Sequence, residues 1–274
     1  MFADPKTGSL SLSNSAPPGS VTTSTVFHFI IGPRGQAFRI HSVLLARQSP
    51  AFRRLLSHPL NYGGYDIDDV EEGTFSLFLQ FAYTGNYGPS ISFDLSLWRP
   101  VEYLHEREAS GEDGQPAAKR VKLSAHKSLV RRLDEFFADQ GLAMVLGDVA
   151  RVHEATIPQD RGEIDLVSHA KLFVFADSWE IDLLRRLSLR KLAKELEEFT
   201  SEGDGEVEGL VALLEYTFSE PRPELLQSLC NMCAAYHFKD LWKSECFKGI
   251  FSQYAALHRG MMDVVADSQE LRLS

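Results

Sequence analysis

Four side chains near the C-terminus have the types and the spacing to hold a metal ion. Cys230, Cys233, His237 and Cys246 form a C-x2-C-x3-H-x8-C array, and thiolate and imidazole are the ligands that structural zinc selects. On a helix the first three would share one face. Zinc pairs of this spacing normally sit on turns, however, and here Leu229, Met232 and Ala234 surround the cysteines. The competing reading is that they are small core residues, the usual fate of free cysteine, and no metal is expected. Signatures of catalysis are missing: there is no G-x-x-x-x-G-K-[ST] loop, no G-x-S-x-G elbow and no H-E-x-x-H pair. The carboxylates run in groups such as Asp66, Asp68, Asp69, Glu71 and Glu72, or Glu195, Glu197 and Glu198, which read as solvated faces and helix starts. A non-enzymatic protein without cofactor is expected, and a catalytic site assembled from distant residues, as triads are, ranks last.

The sharpest short motif is basic. Pro116-Ala117-Ala118-Lys119-Arg120-Val121-Lys122-Leu123 resembles a monopartite nuclear import signal and matches that of the Myc transcription factor. The resemblance implies an extended segment in an acidic, tryptophan-lined groove of importin-α, with Lys119 in the deepest pocket and Arg120 and Lys122 in flanking ones. Pro116 discourages helix upstream and Val121 favours extended backbone. Lys119, Arg120, Lys122, Lys127, Arg131 and Arg132 follow one another without an intervening Asp or Glu, so the local field is positive inside an acidic protein. The bland alternative is a solvated basic loop that balances Glu106, Glu108, Glu112 and Asp113, since short basic motifs often match by chance.

Composition bounds the rest. The chain has 274 residues, is 44% hydrophobic and 24% charged, and carries a formal net charge of -10. These values fit one large or two small globular domains. So acidic a protein is a poor general nucleic-acid binder, since phosphate neutralisation needs a surplus of Lys and Arg on one face. Three cysteines, an odd number, fit a reducing compartment rather than a disulfide framework. No apolar run approaches a membrane span, and the start of the chain lacks the pattern of a signal peptide. Nucleus, cytoplasm or both is the expected location.

The elements that position these residues follow from periodicity. Val26 to Ile31 and Gln36 to Ile40 read as strands joined by Gly32-Pro33-Arg34-Gly35, a hairpin-type connection. Ser42 stands where a helix N-cap would, before Val43, Leu44 and Leu45, and that helix should end near Ser49-Pro50. A strand from Tyr65 to Val70 precedes a helix with Glu71 and Glu72 in its first turn, favoured there by the dipole. Phe75, Phe78, Leu79 and Ala82 make its apolar stripe. Leu129, Leu133, Phe136 and Phe137 resume helical spacing, and Ala150 to Ile157 alternates like a strand. From Asp165 the chain is helical and apolar on nearly every face through Ala176, with a break at Asp177-Ser178, so that helix should be internal. Gly203 to Gly209 reads as an acidic, Gly-rich link. Leu210 to Phe218, Leu225 to Phe238 and Trp242 to Leu257 are three further amphipathic segments.

This order, with the words FRIHSVLLARQSPAF, DIDDVEEGTF and FLQFAYTG, resembles the BTB/POZ family, a protein-interaction fold without catalytic machinery. The resemblance implies an α+β fold, a small mixed sheet capped by a helical cluster, with additional C-terminal helices. It divides the chain into a disordered segment at 1–25, a domain at 26–199 interrupted by a partly flexible insertion at about 88–164, and a helical extension at 210–274. A long insertion with further helices is similar to a group of fungal BTB-domain proteins. The helical pair in HAKLFVFADSWEIDLLRRLSLRKL should pack on the strand–helix core, bringing Phe38, Leu45 and Phe81 near Phe173 and Leu184.

The family also implies partners. Its members form dimers, recruit cullin-type ubiquitin ligases or hold transcriptional partners. The helix with Phe75, Leu77 and Phe78 is the implied partner-binding helix, but cullin adaptors carry hydrophobic-x-Glu there, and this chain has Leu77 in place of the glutamate. Many members begin the first strand with an Asp that faces a basic residue in a charged dimer pocket; Val26 and Ser42 occupy those positions here, which weakens the homodimer. His41 stands at a family histidine position, implied to tie backbone groups at a strand-to-helix corner. A scaffold or adaptor for proteins is the reading, with a cullin substrate receptor as the alternative and a transcriptional cofactor below it. No direct contact with nucleic acid or membrane is expected.

Overall fold

The computed structural model describes residues 21, 24–58, 64–88, 129, 132–133, 135–138, 165–199 and 204–273. The basic motif and residues 150–157 lie outside them.

Strands β1 (Val26–Ile31) and β2 (Gln36–His41) form an antiparallel hairpin, in register from Val26↔His41 to Ile31↔Gln36. The turn closes because Gly32 and Gly35 both take positive φ, 69° and 65°, which costs glycine little. Strand β3 (Tyr65–Ile67) adds to β1 in parallel, Phe29↔Tyr65 to Ile31↔Ile67, so the sheet order is β2-β1-β3. Side chains alternate between faces: Phe29, Ile31, Ile40 and Ile67 are buried, whereas Val26, His28 and Ile30 face outward.

The helix expected to end near Ser49-Pro50 is followed directly by another. Helix α1 (Ser42–Gln48) ends at an extended Ser49, and α2 (Pro50–Ser57) starts behind it. Proline forces the preceding residue out of helical geometry, and Ser49 Oγ then accepts the Phe52 N–H at 3.1 Å as a true N-cap. Ser42 does not cap α1: it is already helical, His41 holds the cap position, and the Ser42 hydroxyl pairs with Thr25 Oγ1 at 3.0 Å. Helix α3 (Glu72–Thr84) ends on Gly85 in the left-handed region, whose N–H donates to Phe81 O at 2.8 Å.

Helix α4 (Leu166–Ser178) is capped by Asp165, whose Oδ1 accepts the Ser168 N–H at 2.6 Å, and α5 (Asp182–Glu198) follows after a three-residue turn. The all-round apolar surface of α4 has a physical reason: the helix lies between two cores. Leu172, Phe175 and Ala176 join the sheet, α1, α2 and α3 in the first core. Ala170 and Phe173 join Leu129, Leu133, Phe137 and the C-terminal helices in the second. Leu184 thus shares a core with Leu45 and Phe81, as the sequence implied, with Phe38 packed against it, whereas Phe173 belongs to the other one.

The remaining helices are α6 (Asp204–Ser219), α7 (Glu224–Tyr236), α8 (Phe238–Leu241), α9 (Glu245–Gln253) and α10 (Ala255–Leu273). The link expected at 203–209 is helical from Asp204, its acidic residues lying in the first turns, where the helix dipole favours them. The single segment expected from Trp242 to Leu257 is broken twice. Ser244 caps α9, accepting the Phe247 N–H at 3.4 Å, and Tyr254 is extended before α10.

Candidate interaction surfaces and the buried junction

The outer face of the sheet is the first candidate surface. Val26 is 46% and Ile30 40% exposed, and the strand register sets His28 beside Arg39 and Ile30 between Ala37 and Asp66. At one end of this face Val26 pairs with His41, and the Ser42 N–H donates to Thr25 O at 2.8 Å. Val26 and Ser42 therefore sit at one corner, and neither brings a charge to it.

His41 ties that corner to α3. Its Nδ1 lies 2.8 Å from the Tyr83 hydroxyl, which also accepts the His41 N–H at 3.4 Å. The side chain thus meets another side chain rather than the backbone groups the sequence implied. Burial raises the Tyr83 phenol above its ordinary value, against a smaller lowering from the His41 N–H.

Of the residues on the implied partner-binding helix, Phe75 and Phe78 are fully buried. The Phe75 ring lies 5.1 Å from both Phe29 and Phe38, and Phe78 lies 5.1 Å from Phe175. They hold α3 to the sheet and to α4 and present nothing to a partner. Leu77 is the half-buried member of the three. At the start of α3 the surface is ionic: Arg34 clasps Glu72 through two hydrogen bonds of 2.9 and 2.6 Å, and Lys171 meets Glu71. Exposed pairs of this kind add little stability.

A buried polar junction escaped the sequence reading. The Tyr87 hydroxyl lies 2.7 Å from His169 Nδ1, and His169 Nε2 lies 2.9 Å from Glu195 Oε1. Lys191 donates to the Tyr87 carbonyl and stands 4.2 Å from the centre of its ring. Burial, with a smaller push from Glu195, drives the Tyr87 phenol far above its ordinary value. Tyr87 and His169 are almost wholly enclosed, whereas Glu195 at the end of the row is 34% exposed. The sequence offered one signal for it: a histidine on the apolar face of a helix, which needs a partner once buried.

The cysteine array does not assemble. Cys230 and Cys233 are sealed in the second core, with Cys230 Sγ 3.5 Å from Thr217 Oγ1, while Cys246 is exposed on α9. Burial pushes the Cys230 thiol up to about 12 and raises Cys233 as well. The His237 ring packs edge-on at 4.7 Å from Phe199. Among the described residues no three His, Cys, Asp or Glu side chains converge on one point, and no helix is long and apolar enough to cross a membrane.

Residues 25–105 match the family model of the BTB/POZ domain, a segment that spans the sheet and α1 to α3 and stops short of α4. The search among curated proteins gives no match.

Proposed function

We propose that this chain, which carries a BTB/POZ domain at residues 25–105, serves as a non-enzymatic scaffold or adaptor that works in the nucleus. BTB/POZ domains are in general protein-interaction modules. The observation that carries the reading is the family match over the same segment whose outer sheet face leaves Val26 and Ile30 exposed. Exposed apolar side chains rimmed by polar ones suit a protein partner. Helices α4 and α5 belong to the domain in this reading, because Phe175 and Leu184 complete its core. The motif from Pro116 to Leu123 supplies import through Lys119, Arg120 and Lys122.

Proximity labelling in the native cell tests both halves. A Val26→Asp, Ile30→Glu variant should keep its fold and lose labelled partners; an unchanged partner set would sink the docking face. A Lys119→Ala, Arg120→Ala variant should leave the nucleus, and one that stays as nuclear as the parent defeats the import reading. Pull-down with a cullin N-terminal region addresses the alternative. Leu77 offers no carboxylate at the position where cullin adaptors carry one, so no binding is expected.

A further inference from the structure

Strand β2 is an open edge of the sheet. The order β2-β1-β3 leaves its far side without a partner strand among the described residues. Two hydrogen bonds fix which backbone groups stand there. The Ser42 N–H donates to Thr25 O at 2.8 Å, one step beyond the pair Val26↔His41. Residues alternate between bonded and non-bonded positions along an antiparallel ladder, so Gln36, Phe38 and Ile40 bond to β1, and Ala37, Arg39 and His41 point the other way. The His41 N–H agrees, since it leaves the sheet for the Tyr83 hydroxyl at 3.4 Å. Ala37 and Arg39 are exposed, and their outward N–H and C=O groups await a strand. Proteins usually blunt such an edge with a bulge, a proline or a very short strand. Edge strand β3 has three residues; β2 has six, an unbroken register, no proline and Arg39 as its one charged side chain.

The two sides of this edge differ. Toward α3 lie Phe38, half-buried with its ring 5.1 Å from Phe75, and Tyr83, which holds His41. Leu79, also half-buried, stands one turn before Tyr83 on the same helix face. Toward solvent lies Arg39, with His28 opposite it on β1. Neither makes an ion pair among the described residues, in a chain whose formal net charge is -10. A charge on an edge repels indiscriminate pairing, and the same charge selects a strand of opposite sign.

We propose that β2 takes up an extended segment of a partner protein as an additional strand, with acidic side chains beside Arg39 and apolar ones over Phe38, Leu79 and Tyr83. Main-chain bonds to Ala37 and Arg39 hold the segment, and the alternation of its side chains gives the specificity. The inference rests on the docking reading and names the partner chemistry at this side of the sheet.

Fluorescence anisotropy with the full chain and short labelled peptides provides the test. A peptide alternating valine and glutamate should bind, and its valine–lysine counterpart at least about tenfold more weakly, because like charges then meet at Arg39. Arg39→Glu should invert that preference. Ala37→Pro removes an outward N–H at a position where an edge strand tolerates proline, so it should keep the fold and abolish binding. The glutamate peptide with methylated backbone amides asks the same question without touching the protein and should also fail to bind. A glutamate peptide that does not bind, equal binding of both peptides, or binding indifferent to amide methylation overturns the proposal. So does an edge occupied by a second copy, seen in sedimentation as a dimer that Ala37→Pro releases. The docking reading fails separately: labelled partners lost from the Val26→Asp, Ile30→Glu variant but kept by Ala37→Pro leave the outer face in place and sink the added strand.

Discussion

The Tyr87 hydroxyl stands 2.7 Å from His169 Nδ1, joining the end of the α3 segment to the helix shared by both cores. Tyr87→Phe keeps the ring and deletes this bond, leaving a buried imidazole nitrogen unsatisfied. A loss of about 1–3 kcal/mol is expected, measured by urea denaturation. The double variant Tyr87→Phe, His169→Leu should recover part of it, because removing both partners spares the desolvation penalty; a double variant as unstable as the sum of both singles would refute the coupling.

The sealed thiols make the fold sensitive to alkali. Cys230 rises from its ordinary 9.0 to about 12, and Cys233 is raised too. Both are protonated in the folded state where the unfolded chain has lost the proton. The unfolded state therefore binds fewer protons above pH 9, and stability falls there by up to about 1.4 kcal/mol per pH unit for each thiol. Below that point the contribution is fully present. Chemical denaturation at a series of pH values should show the slope, and Cys230→Ala with Cys233→Ala should flatten it between about pH 9 and 10, before Tyr87 titrates in the unfolded chain.

Gly260 on α10 has no room for a side chain. A Cβ there would stand 2.0 Å from Asn231 Nδ2 and 2.5 Å from its Cγ, and Asn231 is itself buried on α7. Gly260→Ala should cost about 1–3 kcal/mol by overpacking, despite the higher helix propensity of alanine. Asn231→Ala in the same chain should relieve the clash. A Gly260→Ala protein with an unchanged melting temperature would show that Asn231 moves aside freely.

Phe75 and Leu77 should separate stability from recognition. Phe75→Ala opens a cavity among Phe29, Phe38 and Phe78, and a loss of about 3–5 kcal/mol is expected. Leu77→Glu, at a half-buried position, should leave the fold intact and create the hydrophobic-x-Glu pattern. Binding of a cullin N-terminal region by this variant and not by the parent, read by pull-down, would show that Leu77 blocks that partner; no binding by either removes the position from consideration.

Much of the architecture was legible from local signals, because the forces that set it act over a few residues. The Gly32 to Gly35 turn, the alternation of β1, the Asp177-Ser178 break and the apolar face of α3 are each encoded within one turn or one strand. Where the reading slipped, neighbours competed. Ser42 looks like a cap but is already the first helical residue of α1, whereas Ser49 caps α2 because Pro50 forces it into extended backbone. Tertiary packing decided the rest. Phe75 and Phe78 have the same spacing whether they face a partner or a core, and the sheet and α4 bury them. Cys230, Cys233 and His237 have ligand spacing, and the packing of α6 against α7 seals the thiols instead. His169 gave no hint of Tyr87 or Glu195, since those contacts join positions that only the folded chain brings together. Periodicity records which residues must leave water, and only the assembled helices determine what each one meets when it does.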